Sequence, residues 1–315
     1  MANENSHSPV SRTPHHWDGR HDGDGPEFRR WHSIIDTVQD TPGAAVLGFA
    51  CDEGARRNGC RHGAAEGPHV LREALANLPV HNDLPRYDAG TVTVNGTDME
   101  GAQEELSERI KDLVNAGHLP VVLGGSHEVG YASYLGLHKA LQRPISIVNF
   151  DGHLDLRQTE IPTHGTPFTQ VAEMVGDDFD YSVIGVSTAD NTGKLFNFAE
   201  ELGTKIVLDD EIHNMTPREA AERALEISDV HDDLYVTIDL DAISPAVAPG
   251  VSSPCTVGIG IEPMRAMCKA LAATGKLRLV DVAEMNPYYD VDGRTARVAA
   301  RLLDDMINEH AKLQK

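Results

Sequence analysis

"ISIVNFDGHLDLR", residues 145–157, opens on an apolar run and closes with Asp151, His153, Asp155 and Arg157 at every second position. The run lacks strict polar–apolar alternation, so it reads as a strand buried on both faces. Similar runs recur: "AAVLGFA" (44–50), "VVLGG" (121–125), "YSVIGV" (181–186), "KIVLDD" (205–210), "LYVTIDLD" (234–241) and "LRLVDVAEM" (277–285). Polar helical stretches separate them. Met99 to Asn115 carries Leu106, Ile110, Leu113 and Val114 at helical spacing, with Gly117 as a stop. Such alternation implies right-handed crossovers and a three-layer α/β/α fold with a mainly parallel central sheet.

No repeat or long linker divides the chain after its start, so residues 41–315 are expected to form one domain. Residues 1–40 are polar and rich in His, Asp and Gly, and read as a partly mobile arm. His15, His16 and His21 belong to that arm and are not read as a metal site. Acidic residues outnumber basic ones 49 to 27, a net charge of −22 that argues against nucleic acid or an anionic membrane as partner. No stretch approaches the roughly 18 apolar residues of a membrane span, and no basic-then-apolar leader is present. Cys51, Cys60, Cys255 and Cys268 are scattered without a CxxC pair, as in a reduced, cytoplasmic protein.

The unusual polar residues cluster at strand ends. "VVLGGSHE" supplies His127, "IVNFDGHLD" supplies Asp151, His153 and Asp155, and "VTIDLD" supplies Asp239 and Asp241. Open α/β sheets place their sites at the C-terminal edge, where all six fall. Any one of these clusters alone is equally compatible with a turn, a cap or a structural histidine. Four carboxylates and two imidazoles together exceed what one catalytic zinc uses, and suit two divalent ions roughly 3.5–4 Å apart. The oxygen-rich mixture favours Mn²⁺. Two such cations lower the pKa of a shared water toward neutrality, so the chemistry expected is hydrolysis at an electron-poor centre.

Two further residues are candidates for that chemistry. His164, in "THGTPF" (163–168), lies nine residues beyond Asp155 and could carry a proton to a leaving amine; it reads equally as a solvated loop histidine. Glu284, in "VAEMNP" (282–287), ends the last strand and could pair with an amidinium or guanidinium; it reads equally as a cap or a surface acid.

These motifs, in this order, resemble the ureohydrolase family of arginases, agmatinases and formimidoylglutamases. The resemblance runs from "CDEGARRNGCRHGAAEGP" (51–68) to "RTARVAARLL" (294–303). It implies an arginase-like α/β/α enzyme with two Mn²⁺ per subunit, usually a homotrimer or homohexamer. By position, His127, Asp151, Asp155 and Asp239 would hold one ion, and Asp151, His153, Asp239 and Asp241 the other. His164 matches the family's proton shuttle, and Glu284 the carboxylate that receives the nitrogen-rich end of the substrate.

Three departures separate the branches. The usual "GGDHS" is "GGSHE", the usual "DAH" is "DGH", and "DLDAISPAVAPGVSSP" (239–254) lacks the wording common in arginases and agmatinases. The first and third, with "WDGRHD" (17–22), "HLDLR" and "RTAR", resemble the formimidoylglutamase branch. That branch converts N-formimidoyl-L-glutamate and water to L-glutamate and formamide, in histidine degradation. Arg157 stands where arginases have a neutral asparagine. It would repel an agmatine-like cation and hold a dicarboxylate; it could also merely pair with a ligand carboxylate. Arg61 is a weaker substrate-binding candidate. The alternatives are an agmatinase or guanidino-acid hydrolase releasing urea, and a non-catalytic metal-binding subunit of the same fold.

Overall fold

Four of the apolar runs become neighbours at the centre of one sheet. The computed structural model describes residues 10–11 and 15–314. Its strands are β1 (Val10–Ser11), β2 (Asp36–Thr37), β3 (Ala44–Ala50), β4 (Arg86–Thr93), β5 (Leu119–Leu123), β6 (Ser146–Phe150), β7 (Asp180–Val186), β8 (Lys205–Leu208), β9 (Leu234–Asp239) and β10 (Leu277–Ala283). The order across the sheet is β1-β4-β3-β5-β10-β9-β6-β7-β8, with β2 also paired to β4. β1 pairs antiparallel; every other pairing is parallel.

Successive side chains of the central strands feed two cores, one on each face. Val121 and Leu123 of β5, Val148 and Phe150 of β6 and Val280 and Val282 of β10 join one cluster. Val122, Ile147 and Leu279 join the other. This two-sided burial explains the missing alternation. The helix expected over 99–115 is present as Met99–Asn115, with Asp98 capping the Gly101 amide.

β4 is not an apolar run. It carries Arg86 and Asp88, both buried, and Asp88 is paired with the buried Arg72 at 3.0 Å. Asp88 is thus paired inside the fold, while Arg86 bonds to Asn82 and Leu84 O and lies over the Trp31 ring, so a search for hydrophobic runs passes over the strand. β5 ends at Leu123 and leaves Gly124 and Gly125 in the turn. A Cβ on Gly125 would fall 1.7 Å from the Cys51 carbonyl oxygen, so only glycine fits where the chain bends toward His127.

Of the stretch read as an arm, residues 1–9 and 12–14 lie outside the described residues. Trp31 is fully buried, donates Nε1–H to Asp304 Oδ1 at 2.9 Å and stacks on Trp17. Trp31→Ala is expected to lower stability by about 3–5 kcal/mol, as large-to-small core substitutions do. Urea unfolding measures it. Among the described residues no helix is long and apolar enough to cross a membrane.

Candidate metal centre and active site

The adjacent strands β5, β10, β9 and β6 deliver their end residues to one edge of the sheet. This is where the strand order reverses: β10 and β9 sit between β5 and β6, and the crevice that such a reversal opens is the usual binding place in α/β sheets. His127 follows β5, Glu284 follows β10, Asp239 ends β9, and Asp151 follows β6.

His127 Nδ1 lies 2.9 Å from Asp155 Oδ2, 2.9 Å from Asp239 Oδ2 and 3.2 Å from Asp151 Oδ2. His153 Nδ1 lies 3.0 Å from Asp241 Oδ2 and 3.5 Å from Asp151 Oδ1. Asp151 therefore reaches both imidazoles, one with each oxygen. All six side chains predicted as ligands are thus brought together.

The donor set fits cations on a specific ground. His127 Nε2 is 3.1 Å from Thr237 Oγ1, a hydroxyl that can accept its proton. That tautomer would leave Nδ1 as a bare lone pair facing three carboxylates, and among the described residues Nδ1 is buried with no hydrogen-bond partner. A metal ion turns those repulsions into ligation. Burial, reinforced by Asp241 and Asp151, pushes the Asp239 carboxyl well above the usual range, and burial pushes Asp241 up to about 6. Such crowded negative charge is what a dication relieves.

Glu284 is buried and sits at φ +67°. Its Oε1 accepts from His164 Nδ1 at 3.0 Å and from the His127 amide at 2.9 Å. Its Oε2 is buried without a hydrogen-bond partner among the described residues. Burial disfavours a charged His164, but the Glu284 carboxylate outweighs it and raises the imidazole well above its usual value. The same pairing holds Glu284 below the usual carboxylate range against the effect of burial. The pairing thus favours the charged form of each partner.

The cleft beside these groups is lined by His153, Asp155, Asp239 and Asp241, with Asn58, Arg157, His164, Asn191, Leu195 and Ser253. Arg157 is exposed, and among the described residues its guanidinium has no ion-pair or hydrogen-bond partner. Its amide donates to Gly165 O at 2.9 Å. A Cβ on Gly165 would come 2.8 Å from Arg157 Cδ, so glycine lets the arginine stem lie along the His164 loop. Arg61 does not line the cleft; its Cζ lies 4.4 Å from the Tyr289 ring centre.

Sequence reasoning missed Asn58, whose amide lies 3.0 Å from His164 Nε2, and Asn191. Asn191 follows β7, so the strand-end logic that found the acids could have found it. It also missed Cys255, whose Sγ groups with His153 and Asp241 ligand atoms within 4.8 Å.

Comparison with known proteins bears on this geometry. The arginase family model matches residues 42–308. The chain belongs to the arginase family. Formimidoylglutamase of Corynebacterium efficiens is 48% identical over 303 residues, covering 95% of this chain and 96% of that one. Formimidoylglutamase of Rhodococcus opacus is 44% identical, covering 94% and 96%. A formiminoglutamase variant of Trypanosoma cruzi crystallised with Mn²⁺ superposes with a TM-score of 0.82 at 25% identity, over 90% of this chain and 98% of that one.

Two departures from the common wording of the arginase family now have physical reasons. A Cβ on Gly152 would sit 1.9 Å from Cys255 Sγ, so the glycine of "DGH" makes room for that thiol. In "GGSHE", the Glu128 carboxylate turns back to accept from Ser126 Oγ, from Cys51 Sγ at 2.9 Å and from the Gly54 amide at 3.1 Å. The acid is moved by two residues, yet it still ties the His127 turn to the segment after β3.

Proposed function

We propose that this arginase-family chain hydrolyses N-formimidoyl-L-glutamate to L-glutamate and formamide. The observation that carries the reading is Arg157, an unpaired cation lining the same cleft as the carboxylate cluster. A substrate with an amidine at one end and carboxylates at the other matches that polarity, and the curated relatives with 44–48% identity carry this activity in their names. His127, Asp151, Asp155 and Asp239 would hold one Mn²⁺, and Asp151, His153, Asp239 and Asp241 the other. When bound, such a pair supplies a water deprotonated near neutral pH.

The chain's own residues do the rest. Glu284 accepts the amidinium N–H groups with Oε2 and fixes the His164 ring with Oε1. Water oxygen adds to the amidine carbon, His164 gives its proton to the glutamate nitrogen as the bond from that carbon to that nitrogen breaks, and the O–H proton left on the new carbonyl oxygen returns to His164, leaving formamide. Arg157 holds a substrate carboxylate and so sets the distance of the amidine from the acids. The homotrimer or homohexamer, the cytoplasmic location and a single catalytic domain from residue 41 belong to the same proposal.

A panel of formimidoylglutamate, agmatine, arginine and guanidino acids, assayed for formamide and urea with Mn²⁺-loaded protein, tests it. Formamide from formimidoylglutamate is expected; urea from a guanidine, without formamide, would refute it. Arg157→Ala is expected to raise KM for formimidoylglutamate roughly 10- to 100-fold, the loss of about 1.5–3 kcal/mol in charged hydrogen bonds. Because the Arg157 guanidinium has no partner among the described residues, the melting temperature should not move.

A further inference from the structure

We propose that Asn191 is a positioning residue for the metal centre: its amide fixes the main chain on both sides of His153 and so presets the ligand loop before any ion arrives. The inference rests on the metal reading above. Asn191 Oδ1 accepts from the Leu154 amide at 3.0 Å, while Nδ2 donates to Gly152 O at 2.8 Å and to Ser187 O at 2.9 Å. The amide is buried, and its three contacts are all to main chain, which locks its orientation.

The two loop atoms it holds flank His153. The loop needs holding, because Asp155 sits at φ +48°, a conformation costly for a residue with a Cβ. Other tethers to this loop come from the ligand carboxylates themselves: His153 N donates to Asp151 Oδ1 at 2.6 Å, and Gly152 N to Asp241 Oδ1 at 3.3 Å. The Ser187 amide adds a main-chain bond to Gly152 O at 3.0 Å. Tyr181 Oη also donates to Leu154 O at 3.1 Å, but among the described residues Asn191 is the side chain outside the ligand set that bonds the loop on both sides of His153. Outer hydrogen-bonding partners of this kind are typically worth about 10- to 100-fold in metal affinity.

Mn²⁺ affinity, read by competition with a fluorescent chelator in the absence of substrate, tests the proposal with Asn191→Ala and Asn191→Leu. Leucine fills the space but makes none of the bonds. Both variants are expected to bind Mn²⁺ at least tenfold more weakly while the metal-free proteins melt close to wild type. Affinity within twofold of wild type in either folded variant would overturn it. Should neither variant fold, the wild type decides: the Leu154 amide is expected to resist hydrogen exchange in metal-free protein, and exchange at the rate of an open loop would overturn the proposal. Wild-type protein that binds Mn²⁺ but releases no formamide would sink the activity reading and leave this one standing.

Discussion

Asp239→Ala is expected to abolish turnover, by more than about a thousandfold in kcat, because in the proposed centre the residue would be shared by both ions. Its Oδ2 lies 2.9 Å from His127 Nδ1, and its Oδ1 accepts from the Asp241 amide at 2.8 Å. Removing it takes a carboxylate from beside His127 and releases the Asp241 amide as well. Bound manganese, counted by elemental analysis, should fall from two ions per chain to one or fewer. Asp239→Asn separates the causes: it keeps the bond to the Asp241 amide but not the charge. In chelator-treated protein this variant should melt above wild type, since the cluster then buries one carboxylate fewer. With Mn²⁺ added the order should invert. A wild type whose melting temperature ignores both chelator and Mn²⁺ would contradict the assignment.

Glu284→Gln is expected to cost about 10²–10³ in kcat, comparable to losing one charge-stabilising group at a reacting centre. Its pH profile should also change, with a definite sign. Glu284 raises the His164 pKa, and in the proposed mechanism His164 acts in its protonated form. Without the carboxylate that pKa falls, the acid form is lost at lower pH, and the alkaline limb of kcat moves down. An unchanged limb with reduced kcat would mean that another group donates the proton. Glutamine keeps an acceptor for the His127 amide, so metal content should stay near wild type.

The six clustered side chains were legible because the strands carrying them are buried on both faces, and continuous apolar runs end abruptly in acids. Position in the sheet then followed from chain direction alone. Glu284 and His164 were legible as types at strand-end and loop positions, but their 3.0 Å contact joins residues 120 apart and has no local signature. Asn191 was hidden for a similar reason: its bonds go to main-chain atoms, which leave no trace in the side-chain pattern of the loop they hold. β4 was hidden because Arg72 satisfies its aspartate from a helix earlier in the chain. Arg61 was placed near the substrate by its glycine-rich surroundings, whereas the structure sets it over the Tyr289 ring, a contact no spacing rule anticipates.

The strand order has a consequence for biosynthesis. β5 and β6 are made early and lie on opposite sides of β10 and β9, which are made last. A nascent chain that has emerged as far as residue 200 owns His127, Asp151, His153 and Asp155 but has no strands to bridge the gap between the two halves of the sheet. Asp239, Asp241 and Glu284 therefore join the other acids and imidazoles only when the final third of the chain enters the middle of the sheet.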